Sequence, residues 1–261
     1  MRETYLIPEI NYLDESVALR KEYDTYWEYN DFFLPQVLDD VKLQAKLIEQ
    51  YAKAAGDFAR DTLHGAFLDV TPHSNDRLIR DAALVRATQS MDIAAEMGVR
   101  GVIFHTNRIH GFRDPVYLEN WLAASGQFYT ELSEQYPNTD IYLENMFDEN
   151  WDMLAKLAES MVDVPRFGVC LDYAHASVFG ERPEEWIREL KPHIRHIHIN
   201  DNDGRGDDHL AVGEGVLDWQ TFRNTIEECR PDASLLVEVR GIENQRKSLE
   251  YMKQHRIYPF V

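Results

Sequence analysis

Cysteine is scarce in this chain, since only Cys170 and Cys229 occur among 261 residues. Two cysteines are too few for a disulfide framework, and they do not form a CxxC pair of the kind used in zinc sites and thiol redox centres. A reducing compartment is the default for such a protein. We therefore expect it to be cytoplasmic.

Basic residues are also few. Lys and Arg number 27 against 46 Asp and Glu, which gives a formal net charge of −19. Broad binding to nucleic acid or to an anionic membrane requires a basic face that releases counterions. The charge balance disfavours nucleic acid and membranes as partners, without excluding a locally positive pocket.

Long apolar runs are missing as well. The first ten residues, MRETYLIPEI, lack the apolar core of a signal peptide, and no run approaches the roughly 20 residues that span a membrane. No GxGxxG follows an early strand, so a dinucleotide-binding fold has no support. At 44% hydrophobic and 28% charged residues, the chain can still build a large core.

The chain does contain an alternation of strand-like and helix-like segments, which is typical of parallel βα units. The predicted strands, the third including its exit loop, are 4–10, 26–29, 62–70, 99–105, 140–145, 167–172, 194–200 and 235–239. The predicted helices are 14–23, 37–55, 76–97, 115–136, 149–161, 183–190, 219–229 and 244–255. Eight units at this length favour a single-domain (β/α)8 TIM barrel over residues 1–261.

Imidazole and carboxylate side chains stand at the exits of the predicted strands. Six strands end, in order, near His64, His105, Glu144, Asp172, His198 and Glu238, and the loops behind them carry His175, Asp207 and His209. Because all strand ends of a TIM barrel converge on one mouth, we expect these groups to meet. They would repel one another without cations, and their nitrogen and oxygen donors suit zinc, manganese or another first-row divalent ion.

Some of these residues support the hypothesis of a metal site more strongly than others. Glu144 and Glu238 lie inside apolar strands, where an unpaired buried carboxylate costs free energy. A lone histidine such as His64 is more often an ordinary core or surface residue. His196 has the same facing as His198, and we favour His198 because it lies nearer the carboxyl end of its strand. Three other histidines are predicted loop residues: His73, His110 and His193.

Seven motifs together resemble the xylose-isomerase-like TIM-barrel superfamily, which includes the endonuclease IV family and many sugar-phosphate isomerases and epimerases. They are LHGAFLD, GVIFHTN, IYLENM, GVCLDYAHA, HIHINDNDG, DDHLAVGEGVLDW and LLVEVRG. The resemblance runs from about Thr62 to the end of the chain, and its most specific part is the DxH-LxxGxG segment.

The resemblance implies two alternative metal sites. In epimerase-like members, one divalent ion would be held by Glu144, Asp172, His198 and Glu238. The two glutamates would also transfer protons through an enediolate, one on each face of the substrate. In endonuclease IV-like members, three zinc ions would activate a hydroxide for attack on a phosphate ester. Their ligands would be His64, His105 and Glu144 for the first ion, Glu144, Asp172, His198 and Glu238 for the second, and His175, Asp207 and His209 for the third.

Other features favour the first alternative. The chain is acidic, it lacks a Lys/Arg cluster with interleaved aromatics, and the loop from Asp69 to His73 is not the Asn-rich loop expected of the nuclease. Aromatic, amide and guanidinium groups expected at the mouth suit a sugar: Trp27, Glu28, Phe33, Phe67 and Phe112, with Asn107, Asn145, Arg205 and Arg240.

We therefore predict a Mn- or Zn-dependent isomerase or epimerase of a sugar or sugar phosphate, with one ion expected and up to three on the nuclease alternative. The predicted substrate-binding residues are His175, Arg205, Asn107, Asn145 and Trp27. A non-catalytic sugar-binding barrel is the second alternative, and the sequence leaves open whether the protein forms an oligomer.

Overall fold

Eight parallel strands close into a barrel in the computed structural model, which describes residues 3–68 and 70–260. The strands are β1 (Thr4–Leu6), β2 (Tyr26–Tyr29), β3 (Thr62–His64), β4 (Gly101–His105), β5 (Asp140–Glu144), β6 (Phe167–Asp172), β7 (Ile194–Ile199) and β8 (Ser234–Val237). Each strand pairs with the next, and β8 pairs with β1 to close the ring. The predicted TIM barrel is confirmed.

Helices surround the barrel and follow the strands in the predicted alternation. They are α1 (Leu13–Tyr23), α2 (Pro35–Leu38), α3 (Val41–Ala55), α4 (Arg77–Met97), α5 (Pro115–Gln135), α6 (Asp152–Ser160), α7 (Tyr173–Val178), α8 (Pro183–Leu190), α9 (Trp219–Cys229) and α10 (Ile242–Gln254). Asp40, Asp76, Asp114 and Asp218 start four of them, because each carboxylate accepts hydrogen bonds from first-turn backbone N–H groups. Among the described residues, no helix combines the length and the apolar character needed to cross a bilayer.

Several predicted bounds differ from the structure. The predicted helix 37–55 is two helices, because Asp40 takes an extended backbone conformation and its carboxylate caps α3. The first strand ends at Leu6 rather than at residue 10, shortly before Pro8, whose nitrogen cannot donate to a ladder. The short helix α7 was not predicted, and it begins because Asp172 accepts a hydrogen bond from the backbone of His175. The loop residue Asp69 lies outside the described residues.

Strand alternation divides side chains between the barrel interior and the layer beneath the helices. On β2, Glu28 points inward, whereas Trp27 and Tyr29 point outward and pack on Tyr51 of α3 with ring centroids 6.4 and 4.7 Å away. The same alternation directs the polar residues at the ends of β3 to β8 into the barrel. The fold therefore collects them at the carboxyl end of one closed sheet.

Candidate metal centre

Three carboxylates and one imidazole meet at the carboxyl end of the barrel. They are Glu144 on β5, Asp172 on β6, His198 on β7 and Glu238 immediately after β8. One ligand atom from each lies within 4.8 Å of the others, and the four residues are at most 6% exposed. The fold thus brings together the strand-borne residues predicted from the sequence, and we call them the inner group.

Polar atoms of the inner group lack hydrogen-bond partners. Nδ1 of His198 lies 3.3 Å from Oε2 of Glu144 and 3.2 Å from Oε2 of Glu238. Among the described residues, no hydrogen bond reaches either carboxylate oxygen of Glu144, Oδ2 of Asp172 or Oε2 of Glu238. Buried carboxylates in this condition are costly, and one divalent cation would satisfy all of them together with the imidazole. The residues present fit such an ion.

Protonation equilibria in the inner group reflect the same excess of negative charge. Burial raises the pKa of Asp172, His175 opposes that shift, and the nearby carboxylates of Glu144 and Glu238 add to it, so that the pKa is about 8. Burial lowers the pKa of His198, but the surrounding acidic groups outweigh that effect and hold its pKa well above the usual value. Protons therefore supply positive charge that a metal ion would otherwise contribute.

Two further histidines face Glu144 from the neighbouring strands. Nε2 of His105 lies 3.4 Å, and Nε2 of His64 lies 4.0 Å, from Oε2 of the glutamate. Nδ1 of His64 is 3.0 Å from the carbonyl oxygen of Gly65. That contact places the ring proton on Nδ1 and leaves Nε2 free as a ligand atom. His64, His105 and Glu144 form a second group whose geometry can hold a metal.

A more exposed cluster, which we call the outer group, lies above the inner group. Oδ2 of Asp207 is 3.2 Å from Nε2 of His175 and 3.0 Å from Nε2 of His209. Nδ1 of His175 faces the carbonyl of Asn145 at 2.9 Å, and Nδ1 of His209 faces that of Glu238 at 2.8 Å. Both rings can therefore donate from Nδ1 and present Nε2 toward the same carboxylate, as metal-ligating histidines do. The fold brings together the three residues predicted for an additional ion.

The loop that carries Asp207 and His209 is held by Asp201, a buried residue at the end of β7. Its carboxylate accepts hydrogen bonds from the backbone N–H groups of Gly213 and Leu217 and from the indole of Trp219. Two glycines allow this close approach: a Cβ on Gly213 would meet the ring of Tyr251 at 2.4 Å, and one on Gly215 would meet Asp201 at 2.2 Å. This explains the glycines of the LxxGxG segment.

Two buried residues below the inner group, Glu28 and His196, were not among the predicted ligands. The carboxylate of Glu28 lies 3.2 Å from Nε2 of His196 and 3.3 Å from Nε2 of His198, and all three residues are fully buried. Glu28 was predicted at the mouth, and its buried position in the barrel interior corrects that expectation. His196 shares the inward facing of His198, as predicted, and His198 is the one that joins the inner group. Glu28 could have been identified from its position between Trp27 and Tyr29. A carboxylate inside an apolar strand is the same signal that singled out Glu144 and Glu238.

Two of the predicted substrate-binding amides are engaged with backbone groups. Asn145 donates to the carbonyl of Asp172 and accepts from its N–H, both at 2.9 Å, which ties the ends of β5 and β6 together. Asn107 donates to the carbonyls of Phe67 and Val70 at 3.1 Å. Arg205 is exposed in the loop after β7. Direct substrate contacts of these three residues, and of His175, stay predictions.

The predicted placement of Trp27 at the mouth is wrong. The residue is 1% exposed and lies on the outward face of β2, in the apolar layer between barrel and helices. Its neighbour Glu28 occupies the inward face, and consecutive residues of a strand point to opposite sides. Trp27 therefore contributes to packing rather than to the lining of the mouth.

Comparisons with known proteins agree with this architecture. The family described as xylose isomerase-like TIM barrel matches residues 25–255. An uncharacterised protein of Methanocaldococcus jannaschii is 26% identical over 209 residues, which cover 74% of this chain and 69% of the relative. A probable endonuclease 4 of Aquifex aeolicus is 25% identical over 186 residues, covering 64% of this chain and 65% of the relative.

Solved structures with the same fold cover nearly the whole chain. A Thermus thermophilus protein soaked with ZnCl2 has a TM-score of 0.75 at 24% identity and covers 97% of both chains. A D-tagatose 3-epimerase-like protein has a TM-score of 0.75 at 22% identity, covering 98% of this chain and 97% of the other. At these identities the similarity shows a shared fold.

Proposed function

This chain belongs to the xylose isomerase-like TIM-barrel family, and from that premise we propose that it is a divalent-metal-dependent isomerase or epimerase of a sugar or sugar phosphate. The observation that carries the proposal is the inner group, in which three carboxylates and one imidazole converge without hydrogen-bond partners for several of their atoms. The D-tagatose 3-epimerase-like protein of the same fold supports the choice of a sugar as substrate class.

Glu144 and Glu238 have different surroundings, so we assign them to opposite faces of the substrate. Glu144 is fully buried, and its carboxylate faces His105 and His198 within 3.4 Å. Glu238 is 6% exposed and lies at the end of β8 beside the outer loop. We assign Glu238 the proton transfer from the open side of the mouth, with Glu144 as the acid/base group on the opposite face.

The residues of this site would hold and transfer the proton of a substrate C–H group. Glu144, Asp172, His198 and Glu238 would hold the metal, and a bound ion would supply stabilisation of the negative charge that develops on the substrate oxygens. One glutamate takes the proton from the carbon, and the other returns a proton to the opposite face when the product is an epimer.

Exchange of substrate protons with solvent tests this proposal directly. The protein is loaded with Mn²⁺ or Zn²⁺ and incubated with a panel of ketoses and ketose phosphates in D2O, and deuterium incorporation is followed by mass spectrometry. Glu238→Gln should lower the exchange rate by about 10²- to 10⁴-fold, the usual contribution of a general base. Glu243→Gln, an exposed glutamate of α10, is the matched control and should exchange like wild type.

Two outcomes would contradict the proposal. Undiminished exchange in a metal-loaded Glu238→Gln variant would remove Glu238 from the chemistry. Tight binding of a sugar by wild type without turnover or exchange would instead fit a non-catalytic sugar-binding barrel.

A second candidate function is hydrolysis of a phosphate ester at a cluster of up to three zinc ions. The supporting observations are the approach of His64 and His105 to Glu144 and the convergence of His175 and His209 on Asp207. The similarity to a probable endonuclease 4 points in the same direction. About three ions per chain together with nicking of abasic DNA would favour the hydrolase, and one ion per chain would favour the isomerase.

A further inference from the structure

The barrel interior below the inner group contains a polar cluster that the proposed chemistry does not use. We call it the floor cluster: Glu28, Thr62 and His196. Oε2 of Glu28 accepts a hydrogen bond from the Thr62 hydroxyl at 2.8 Å and lies 3.2 Å from Nε2 of His196. Oε1 of Glu28 lies 3.3 Å from Nε2 of His198. The three residues of the cluster are at most 1% exposed.

The imidazole of His198 lies between the floor cluster and the inner group. Its Nδ1 faces the carboxylates of Glu144 and Glu238, and its Nε2 faces Glu28. A neutral imidazole that ligates a metal through one nitrogen carries its proton on the other. If the ion is bound through Nδ1, the proton of His198 lies on Nε2. Oε1 of Glu28 is the carboxylate oxygen beside it, 3.3 Å away, and neither atom has a hydrogen-bond partner among the described residues.

The rest of the floor cluster keeps Glu28 in this position. Thr62 and His196 face one oxygen, so the other oxygen is directed at His198. His196 is oriented in turn by Ser234, whose Oγ lies 2.6 Å from its Nδ1. Because the flanking residues of β2 are aromatic and water is excluded, a carboxylate at this position requires such partners.

We propose that Glu28 is a positioning residue that fixes the tautomer and the ring orientation of His198 and strengthens the ring as a metal ligand. The inference rests on the proposed metal site of the inner group. It assigns Glu28 a role through His198 and no contact with the ion or the substrate. Carboxylate–histidine–metal arrangements of this kind typically change metal affinity by about 10- to 100-fold when the carboxylate is replaced.

The tautomer can be measured on wild type, which avoids any folding defect of a variant. Histidine side chains are labelled with ¹⁵N, the protein is loaded with Zn²⁺, and the His198 signals are identified by their absence from a His198→Asn variant. We expect a protonated Nε2 and an unprotonated, zinc-shifted Nδ1. A proton on Nδ1, or zinc on Nε2, would overturn the proposal.

Metal affinity provides the second measurement. Glu28→Gln should bind the same number of zinc ions as wild type in competition with a chromophoric chelator, with an affinity about 10- to 100-fold lower at the inner group. Asp61→Asn is the matched control. Asp61 is a buried carboxylate that pairs with Arg20 and accepts hydrogen bonds from the Tyr29 hydroxyl and the Trp27 backbone, and Tyr29 points to the side of β2 opposite Glu28. The substitution should destabilise the fold while its zinc affinity stays within about twofold of wild type.

The outcomes separate this proposal from the proposed function. Unchanged zinc affinity in Glu28→Gln would overturn the positioning role, and so would the loss of one bound ion, which would make Glu28 a ligand. Neither result bears on sugar turnover. Conversely, absence of sugar exchange in wild type with the expected zinc data would overturn the proposed isomerase and leave the role of Glu28 supported. A wild-type protein that binds no divalent ion would overturn both.

Discussion

The inner and outer groups use the same kinds of side chain in different settings. The inner group stands on the ends of β5 to β8, and its residues are at most 6% exposed. In the outer group, the side chains of Asp207 and His209 are 20% and 33% exposed and belong to the long loop after β7. Hydrogen bonds to Asp201 position that loop, whereas the closed sheet itself positions the inner group.

This difference indicates where a metal is required and where it is optional. The inner carboxylates are at most 6% exposed, so their charge must be balanced mainly by a cation or by protons. The side chain of Asp207 is 20% exposed, and its Oδ2 lies 3.0 Å from Nε2 of His209, which already balances its charge. We therefore expect tight metal binding at the inner group and weaker, exchangeable binding at the outer group. His175 links the two, with Nδ1 at 3.3 Å from Glu144 and Nε2 at 3.2 Å from Asp207.

The largest expected effect is that of Glu144→Gln, which breaks both groups at once. Glu144 contacts His198 of the inner group and His175 of the outer group, so loss of its charge removes a ligand from one and a neighbour from the other. We expect zinc affinity at the inner group to fall by more than about 100-fold, beyond the effect of a residue that only supports a ligand. Metal content after gel filtration measures this, with the exposed Glu159→Gln as control. Retention of the full metal content would refute the shared role of Glu144.

Asp207→Asn should have a smaller and more selective effect. It removes the carboxylate that His175 and His209 share, and it leaves the four inner residues unchanged. We expect the weakest bound ion to be lost, while zinc affinity at the inner group changes by less than about tenfold. Sugar proton exchange should then persist, whereas phosphate ester hydrolysis by a three-ion cluster should not. Equal weakening of every ion would show that the two groups form one indivisible site.

The inner group could be predicted from sequence because all four members stand at predicted strand exits and two of them carry a local signal. Glu144 and Glu238 interrupt apolar strands, and a buried carboxylate in such a run has few non-functional explanations. The carboxyl ends of the strands then lie together in any parallel barrel, whatever the rest of the sequence. The eight-stranded fold was predictable for the same reason, since alternating periodicities identify βα units along most of the chain.

The contact of Glu28 with His196 and His198 could not be derived in that way. It depends on the closure of the barrel, which brings β2 opposite β7 across the interior, and on the facing of a four-residue strand. Both Trp27 and Glu28 were predicted at the mouth, although consecutive residues of a strand point to opposite sides. The division of the predicted helix 37–55 at Asp40 depends likewise on a cap that competes with continuous helical periodicity.

The metal-free protein should lose stability as pH rises, through both groups. Asp172 in the inner group has a pKa raised by burial to about 8 from an ordinary 3.8. In the outer group, burial lowers the pKa of His209, but Glu238 and Asp207 outweigh it and raise the pKa to about 10 from 6.5. Each group thus holds a proton in the folded state that the unfolded chain has released, and the associated stability is lost as pH rises toward the folded pKa.

Thermal unfolding of chelator-treated protein between about pH 6 and about pH 9 measures this loss. We expect Tm to fall by at least roughly 2–4 °C, equivalent to about 1 kcal/mol after allowance for the exposure of His209. Saturating Zn²⁺ should reverse most of the fall at high pH, because the ions replace the missing protons. In His209→Asn the fall should shrink but persist through Asp172. A Tm that rises over this range would contradict the charge balance of both groups.

The smallest effect on function is expected from Trp27→Phe, because Trp27 lies on the outward face of the strand whose inward residue is Glu28. The substitution removes part of a buried ring that packs on Tyr29 and Tyr51, so we expect a loss of about 1–2 kcal/mol of unfolding free energy. Metal affinity and the KM for any sugar substrate should stay within about twofold of wild type, since neither group contacts this face. Paired measurements of Tm and KM test this. A marked rise in KM with unchanged stability would show that Trp27 lies at the mouth. The facing of β2 would then be the reverse of that described, and Glu28 would not contact His198.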